Sequence, residues 1–239
     1  MAEPLLAALV IALAAAATGV GLPAVLRRLP EPPADRPEGE LDDQPADRPA
    51  EPAKIAYADL ARPGFVAGAA AAAAVAAAIS AVWLPPTLAG IWLVLAVFGV
   101  SLAAIDGATT WLPMRLSYAG WIAMAAAITV TALVTADGGL LVRAVLGAVV
   151  AGALHLVIWV VSRGGLGFGD VRFAPLLGAA AASSSWTLLF AGLLCGALIG
   201  GAFGVFRIVL RRPGGCPYAP SMLAGVYLGA VLTLPGPLG

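Results

Sequence analysis

Charged residues are scarce in this sequence. Only 11% of the 239 residues are charged, 61% are hydrophobic, and the mean hydropathy is +0.97. Because soluble domains carry roughly a quarter charged residues, this composition excludes an ordinary water-soluble protein and predicts one whose solvent is largely the lipid bilayer. The formal net charge is zero, so no basic field points to nucleic acid as a partner.

Cysteine and histidine are almost absent as well. Cys195 and Cys216 are too few and too far apart in sequence for a disulfide framework or a thiolate metal site. The single histidine, His155, lies in a long apolar segment. A role in proton movement is open to it, but we expect a hydrogen bond within a helical bundle. The sequence therefore predicts no metal site and no cofactor.

Eight apolar segments are candidates for crossing a bilayer, which takes about 17–25 residues per helix. They cover roughly 4–26, 64–83, 88–105, 116–135, 140–161, 171–183, 185–206 and 219–235. The sixth is short, and only the run Ser183–Ser185 separates it from the seventh. The first lacks a basic segment before it, so we expect it to remain a membrane span and not a cleaved signal. The predicted fold class is an all-α polytopic membrane protein with about eight transmembrane helices.

Residues 30–63 differ in kind from the rest of the chain. They hold eight prolines and nine acidic residues against four basic ones, with few large apolar side chains. Such a segment cannot offset its ordering entropy, which predicts a disordered or extended linker. The chain is therefore divided into a first transmembrane helix (1–29), a Pro/acid-rich linker (30–63) and a membrane-embedded core (64–239).

The basic residues predict the orientation. If the N-terminus lies outside, twelve of the thirteen arginines and lysines fall in inner segments, and Arg143 alone falls outside. This bias follows the positive-inside rule and places the linker in the cytoplasm. The inner basic residues are Arg27, Arg28, Arg36, Arg48, Lys54, Arg62, Arg115, Arg163, Arg172, Arg207, Arg211 and Arg212.

Carboxylates are rare outside the linker. Apart from Glu3, only Asp106, Asp137 and Asp170 remain. Asp137 lies in "TADGGL", which is typical of a solvated turn. Asp106 ends the third predicted span and Asp170 begins the sixth, so both are expected at the inner face. Each could simply mark a helix end. Alternatively they form one site, in which one carboxylate takes a proton from water while the other, protonated, polarises a scissile carbonyl.

The stretch "GLGFGD" at 165–170 favours a functional site around Asp170. Gly167 and Gly169 flank Phe168 and permit a tight turn with close backbone approach. No Gly-Lys-Ser/Thr follows, which excludes a phosphate-binding P-loop. No βαβ unit surrounds it, which excludes a dinucleotide fingerprint.

Three ordered motifs resemble the type IV prepilin leader peptidases, a family of GxGD membrane aspartyl proteases. "SRGGLGFGDVRFAPLLGAAAA" at 162–182 resembles the GxGD motif, and "IDGATTWLP" at 105–113 resembles the first aspartate motif. "CPYAPSMLAG" at 216–225 resembles the late segment that opens the last span. The match extends over most of residues 64–235. It implies that Asp106 and Asp170 are the catalytic pair and that the core is an aspartyl peptidase facing the cytoplasm.

The resemblance also implies a substrate and a location. The substrate would be a prepilin or pseudopilin precursor with a short basic leader, and the protein would be a multi-pass protein of the cytoplasmic membrane, with the lipid bilayer as its other partner. Gly167, Gly169, Arg172 and Pro113 would shape the loops or bind substrate. Arg172 stands where the family often has Lys, and Met114 stands where many members have Asp or Asn. The zinc module of bifunctional members is replaced by the cysteine-free linker, so we expect no N-methyltransferase activity.

Two other functions remain open. One is a small transporter that couples proton movement to the two acids, although no internal repeat is evident and both acids are predicted at one face. The other is a different GxGD protease of the presenilin or signal-peptide-peptidase group. Against the latter, Ile105 precedes the first aspartate in place of Tyr, and "YAP" at 218–220 matches the Pro-Ala-Leu motif of that group only loosely.

Overall fold

A computed structural model describes residues 2–31, 55–163, 166–211 and 216–234 of the chain. Within these ranges the regular structure is helical, as the apolar composition predicts, and the protein is an all-α polytopic membrane protein. The helices are α1 (Ala2–Leu26), α2 (Pro63–Trp83), α3 (Ala89–Val94), α4 (Val100–Thr109), α5 (Met114–Thr135), α6 (Gly138–Val161), α7 (Phe168–Ser184), α8 (Trp186–Val209) and α9 (Ala219–Thr233).

Helices α3 and α4 belong to one continuous rod. A π-helical turn, Leu95–Gly99, joins them, and the rod runs from Pro86 to Thr109. Within the described residues, six helices are long and apolar enough to cross a membrane: α1, α2, the Pro86–Thr109 rod, α5, α6 and α8. Helices α7 and α9 are shorter, at 17 and 15 residues. These eight rods coincide with the eight segments predicted from sequence.

The rod ends differ from the predicted ends at the two places that carry aspartates. Helix α4 continues to Thr109 and stops at Thr110, which has the left-handed φ of 57°. Asp106 therefore lies inside the last turn of α4 and not beyond it. Helix α7 begins at Phe168, so Asp170 lies inside its first turn. The predicted boundary at Ser183–Ser185 is confirmed, since Ser185 caps α8 by accepting a hydrogen bond from the Leu188 amide at 3.0 Å.

Helix α7 occupies the centre of the bundle. It packs against α5, α6, α8 and α9, and most of its side chains are buried. Its closest neighbour is α6, where a Cβ on Gly178 would meet the Gly147 carbonyl and Ala151. Helices α8 and α9 approach equally closely at Gly196 and Gly225. Small residues let helices approach where lipid provides no hydrophobic contrast, which explains the Gly- and Ala-rich spans.

The linker prediction is wrong for the end of the segment. Residues 32–54 lie outside the described residues, but Tyr57–Leu60 form a 3-10 helix just before α2. Tyr57 is 3% exposed and Leu60 is fully buried. These two large apolar side chains give this end a packing surface.

Asp137 has the structural role predicted for it. It precedes α6, and its carboxylate accepts the Leu140 amide at 3.0 Å and pairs with Arg143 at 3.3 Å. The Leu140 hydrogen bond, with a smaller effect from Arg143, lowers the pKa of Asp137. Asp137 is thus a helix cap in an exposed turn.

Candidate active site

The sequence-predicted aspartates lie at one end of the bundle, which we call the site end. It consists of the last turn of α4, the first turns of α7 and α9, and the adjoining end of α1. Three observations join these ends: Asp106 in α4 hydrogen-bonds the first residue of α9, Ala219; Gly169 at the start of α7 packs against Leu112, just after α4; and one cavity is lined by residues just after α1, at the start of α5 and at the start of α7.

Asp106 is buried and has a backbone donor. The residue is 4% exposed, and Oδ2 accepts a hydrogen bond from the Ala219 amide at 3.1 Å. Ala219 is the first residue of α9, where amide groups have no partner inside the helix. The segment at 216–225 therefore contacts the first aspartate motif at 105–113 directly, through the Ala219 amide.

Asp170 is equally buried, at 5% exposed. Its backbone amide donates to the Gly167 carbonyl at 3.1 Å, which fixes the first turn of α7. Its Oδ1 is buried and has no hydrogen-bond partner among the described residues. A buried polar atom without a partner is uncommon and costly. Asp170 thus has acceptor capacity left for a water molecule or a substrate.

The two carboxylates belong to one electrostatic environment. The Asp106 carboxylate lies within electrostatic reach of Asp170. Tyr218, immediately before α9, adjoins the same site: burial, and then the charge of Asp170, raises the pKa of its hydroxyl above the usual value. Helix α9 packs against both α4 and α7, so it holds the two aspartate-bearing helices together.

Gly169 is required by a close approach. A Cβ at this position would lie 2.9 Å from Cδ1 and 3.0 Å from Cβ of Leu112. At Gly167, a Cβ would lie 3.3 Å from Oδ2 of Asp170. Pro113 follows Leu112 and precedes the first residue of α5, with φ of −67°. The Leu112–Pro113 segment therefore packs against the first turn of α7, which brings the first two motifs into contact.

Arg172 follows Asp170 by two residues in α7 and lines the cavity next to the aspartates. Its guanidinium carbon lies 5.4 Å from the centroid of the Phe168 ring, a cation–π contact. Its carbonyl accepts the Trp121 indole N–H at 3.0 Å. Two of its nitrogens, Nε and Nη1, are buried and have no hydrogen-bond partner among the described residues.

A cavity of about 280 Å³ lies beside Arg172. Its walls come from four parts of the chain: residues just after α1, the 3-10 helix, residues 111–115 around the start of α5, and the start of α7. The lining residues are Leu29, Pro30, Glu31, Tyr57, Trp111, Leu112, Pro113, Met114, Arg115 and Arg172. Of the sequence-predicted site residues, Pro113 and Arg172 therefore line this cavity.

Sequence reasoning missed Glu31 and Tyr57. Oε2 of Glu31 accepts the Tyr57 amide at 3.0 Å, and Oε1 accepts the Ala58 amide at 3.5 Å. Glu31 is one of nine acids in a segment predicted to be extended, and nothing in the sequence distinguishes it from the others. A signal for Tyr57 existed, because it and Leu60 are large apolar residues just before a span.

His155 lies on α6, with its ring centroid 6.4 Å from that of Tyr218. It is 4% exposed, and its Nδ1 lies 2.9 Å from the Ala151 carbonyl in the preceding turn of α6. The predicted hydrogen bond within the bundle is confirmed. Among the described residues, no group of three or more His, Cys, Asp or Glu side chains could hold a metal ion.

Comparisons with known proteins add no relative: no protein-family model matches this chain, and no curated protein or solved structure matches it. Its function is therefore inferred from the residues and from their geometry.

Proposed function

We propose that this protein is a membrane aspartyl endopeptidase of the prepilin-peptidase type, with Asp106 and Asp170 as its catalytic residues. The observation that carries the proposal is the buried aspartate pair, drawn from α4 and α7 and held at one end of the bundle by α9. The three sequence motifs that resemble the family are the same three segments that meet there.

A structural role explains this pair poorly. Ionisable groups at membrane level are costly and mark functional sites by default. Asp137 shows what a purely structural aspartate in this chain looks like, since it is half-exposed, accepts a hydrogen bond from the Leu140 amide and pairs with Arg143. Asp170, in contrast, is buried with one oxygen unpartnered among the described residues.

The chemistry follows from two acids that share one site. One carboxylate takes a proton from water, and the water oxygen attacks the carbonyl carbon of the scissile peptide. The other carboxyl, protonated, donates to the carbonyl oxygen and stabilises the tetrahedral intermediate. The carbon–nitrogen bond then breaks as a proton passes to the departing amine. The free acceptor atom of Asp170 is suited to binding the attacking water.

The proposed substrate is a prepilin or pseudopilin precursor, cut after a short basic leader at the cytoplasmic face of the cytoplasmic membrane. The basic residues of the described chain support this orientation, because the helix ends at the site end carry Arg27, Arg28, Arg62, Arg115, Arg163, Arg172, Arg207 and Arg211. The opposite end carries Arg143. Under the positive-inside rule, this asymmetry supports a cytoplasmic location for the site end.

The test is cleavage of a co-expressed prepilin, followed as a mobility shift. Asp106→Asn and Asp170→Asn should each reduce cleavage by about 10²-fold or more, the typical worth of a positioned acid or base. Asp137→Asn is the matched control and should leave cleavage near the wild-type rate. All three variants should accumulate in the membrane to the same level.

The position of the cut separates this proposal from other GxGD proteases. Mass spectrometry of the product should give a new N-terminus at the leader boundary, outside the apolar segment of the precursor. A cut within that segment would indicate an intramembrane protease instead. Substantial cleavage by either inner aspartate variant would refute the assignment of the pair.

A further inference from the structure

Glu31 and the 3-10 helix, the described ends of the segment between α1 and α2, adjoin the candidate active site. Glu31 lies five residues after the end of α1, and its carboxylate accepts the amides of Tyr57 and Ala58. These amides belong to the first two residues of the 3-10 helix. A carboxylate at the start of a helix accepts hydrogen bonds from amides that have no other partner. The positive end of the helix dipole also stabilises its negative charge. Glu31 therefore fastens the 3-10 helix to the end of α1, an arrangement we call the clasp.

The clasp fixes the position of Tyr57. The Tyr57 side chain is 3% exposed and forms part of the cavity wall, with Trp111, Pro113 and Arg172 among the other lining residues. Burial is the largest of the effects that raise the pKa of its hydroxyl to about 12, with Glu31 and Asp106 adding to the rise and Arg172 opposing it. The hydroxyl thus lies within electrostatic reach of the clasp, of the cavity cation and of a catalytic aspartate.

The cavity adjoins the first turn of α7, which carries Asp170. Leu112, one of its lining residues, packs directly on Gly169, the residue before Asp170. Its lining combines apolar side chains with Glu31, Arg115 and Arg172. An extended peptide passing the aspartates needs a surface of this mixed kind, with apolar contacts for its side chains and donors for its carbonyls.

We propose that Glu31 and Tyr57 are positioning residues of the peptidase, and that the clasp holds the Tyr57 ring as one wall of the groove that binds the substrate peptide beside the scissile bond. This inference rests on the proposed function. It implies that the catalytic groove is incomplete without Glu31 and Tyr57, although both aspartates lie in the core. It also implies that Glu31 and Tyr57 act on substrate binding and not on the chemical step.

Kinetics with a purified prepilin substrate test this assignment. Glu31→Ala and Tyr57→Ala should each raise KM by about tenfold, the scale of one charge-assisted hydrogen bond, and should leave kcat nearly unchanged. Glu31→Gln keeps an oxygen acceptor for the Tyr57 amide, and Tyr57→Phe keeps the ring, so both should restore most of the binding. Asp59→Asn, an exposed acid in the same 3-10 helix, is the matched control and should match the wild type.

A second measurement does not depend on cleavage. In a background with Cys195→Ala and Cys216→Ala, the thiol of Tyr57→Cys should react slowly with a water-soluble maleimide, and adding Glu31→Ala should accelerate labelling about tenfold by opening the clasp. Asp59→Cys should label quickly with or without Glu31. If Glu31→Ala accelerates labelling of Tyr57→Cys but the wild type cleaves no precursor, the proposed function is wrong, while the clasp between Glu31 and the 3-10 helix is supported.

Two results would overturn the inference. One is a fall in kcat at unchanged KM in Glu31→Ala, which would place the residue in the chemical step or in global folding. The other is unchanged KM in both alanine variants while the wild type cleaves the precursor. In that case the clasp is structural, and the groove is formed by the core alone.

Discussion

Gly169 occupies the point where the first turn of α7 passes closest to Leu112. A Cβ there would lie 2.9 Å and 3.0 Å from two Leu112 carbons, so Gly169→Ala must push the turn and the Leu112–Pro113 segment apart. Asp170 follows directly and would move with the turn. Because a misplacement of about 1 Å can cost about 10²-fold in rate, we expect Gly169→Ala to lower kcat by roughly that factor while the protein still folds.

Gly68→Ala provides the comparison for Gly169→Ala. Gly68 lies on α2, and a Cβ there would meet no atom within 4 Å. The measurement is prepilin cleavage by both variants, together with their melting temperatures in detergent. Equal kcat values for Gly169→Ala and the wild type would show that the close approach to Leu112 does not position Asp170.

The catalytic candidates could be found from sequence because carboxylates are so rare here. Outside the linker and the terminus only three remain, and the turn motif accounts for Asp137. The partners of these aspartates could not be found in the same way. Asp106 is bound by a backbone amide, that of Ala219, and every residue type except proline supplies one. Glu31 is one of nine acidic residues in its segment, so the composition does not distinguish it from the others.

At the scale of helices, the contact between α8 and α9 sets the position of the Ala219 amide. A Cβ on Gly225 would fall on the backbone of Gly196 and lie 2.6 Å from the Gly192 carbonyl oxygen. Backbone atoms cannot move aside as a flexible side chain can. We therefore expect Gly225→Ala to separate the two helices and to lower the free energy of unfolding by about 1–3 kcal/mol, as overpacking does.

The consequence for the site distinguishes this variant from a general loss of stability. Separation of α9 from α8 shifts the first turn of α9, so cleavage should fall even at temperatures where Gly225→Ala remains folded. Gly204→Ala on α8, where a Cβ would meet nothing within 4 Å, should change neither quantity. Unfolding in mixed micelles and prepilin cleavage measure the two effects. Wild-type stability of Gly225→Ala would contradict the packing argument.

Helix existence was predictable and helix ends were less so. A membrane span needs enough consecutive apolar residues, and these are visible in the sequence. The many glycines and alanines predict close helix packing, but they do not indicate which helices pack together. The ends depend on local events. Helix α4 stops where Thr110 turns left-handed, and α7 starts after Gly167 with an extended backbone. The π-helical turn of Leu95–Gly99 cannot be recognised from hydropathy, because the turn and the residues on both sides of it are apolar.

For the molecule as a whole, the proposed function depends on contact between the core and the clasp, which are far apart in sequence. The core supplies both aspartates, and the segment around the clasp supplies a wall of the cavity beside them. Residues 34–54 carry seven acidic and three basic residues and little that could pack. Glu31 and Tyr57 are already held side by side, with Oε2 and the amide nitrogen 3.0 Å apart. A short connection between them therefore costs little closure entropy.

Deletion of residues 34–54 should accordingly preserve the clasp, since four residues (32, 33, 55 and 56) still join Glu31 to Tyr57. We expect the shortened protein to cleave prepilin at close to the wild-type rate in high salt. In low salt the rate should fall modestly, because the net negative charge that would attract a basic leader is gone. Deletion of residues 34–60 also removes Tyr57 and Leu60, and should raise KM at every salt concentration. Cleavage measured across a salt series separates the two. Loss of cleavage in the 34–54 deletion at all salt concentrations, with normal accumulation in the membrane, would show that this stretch takes part in catalysis or substrate binding directly.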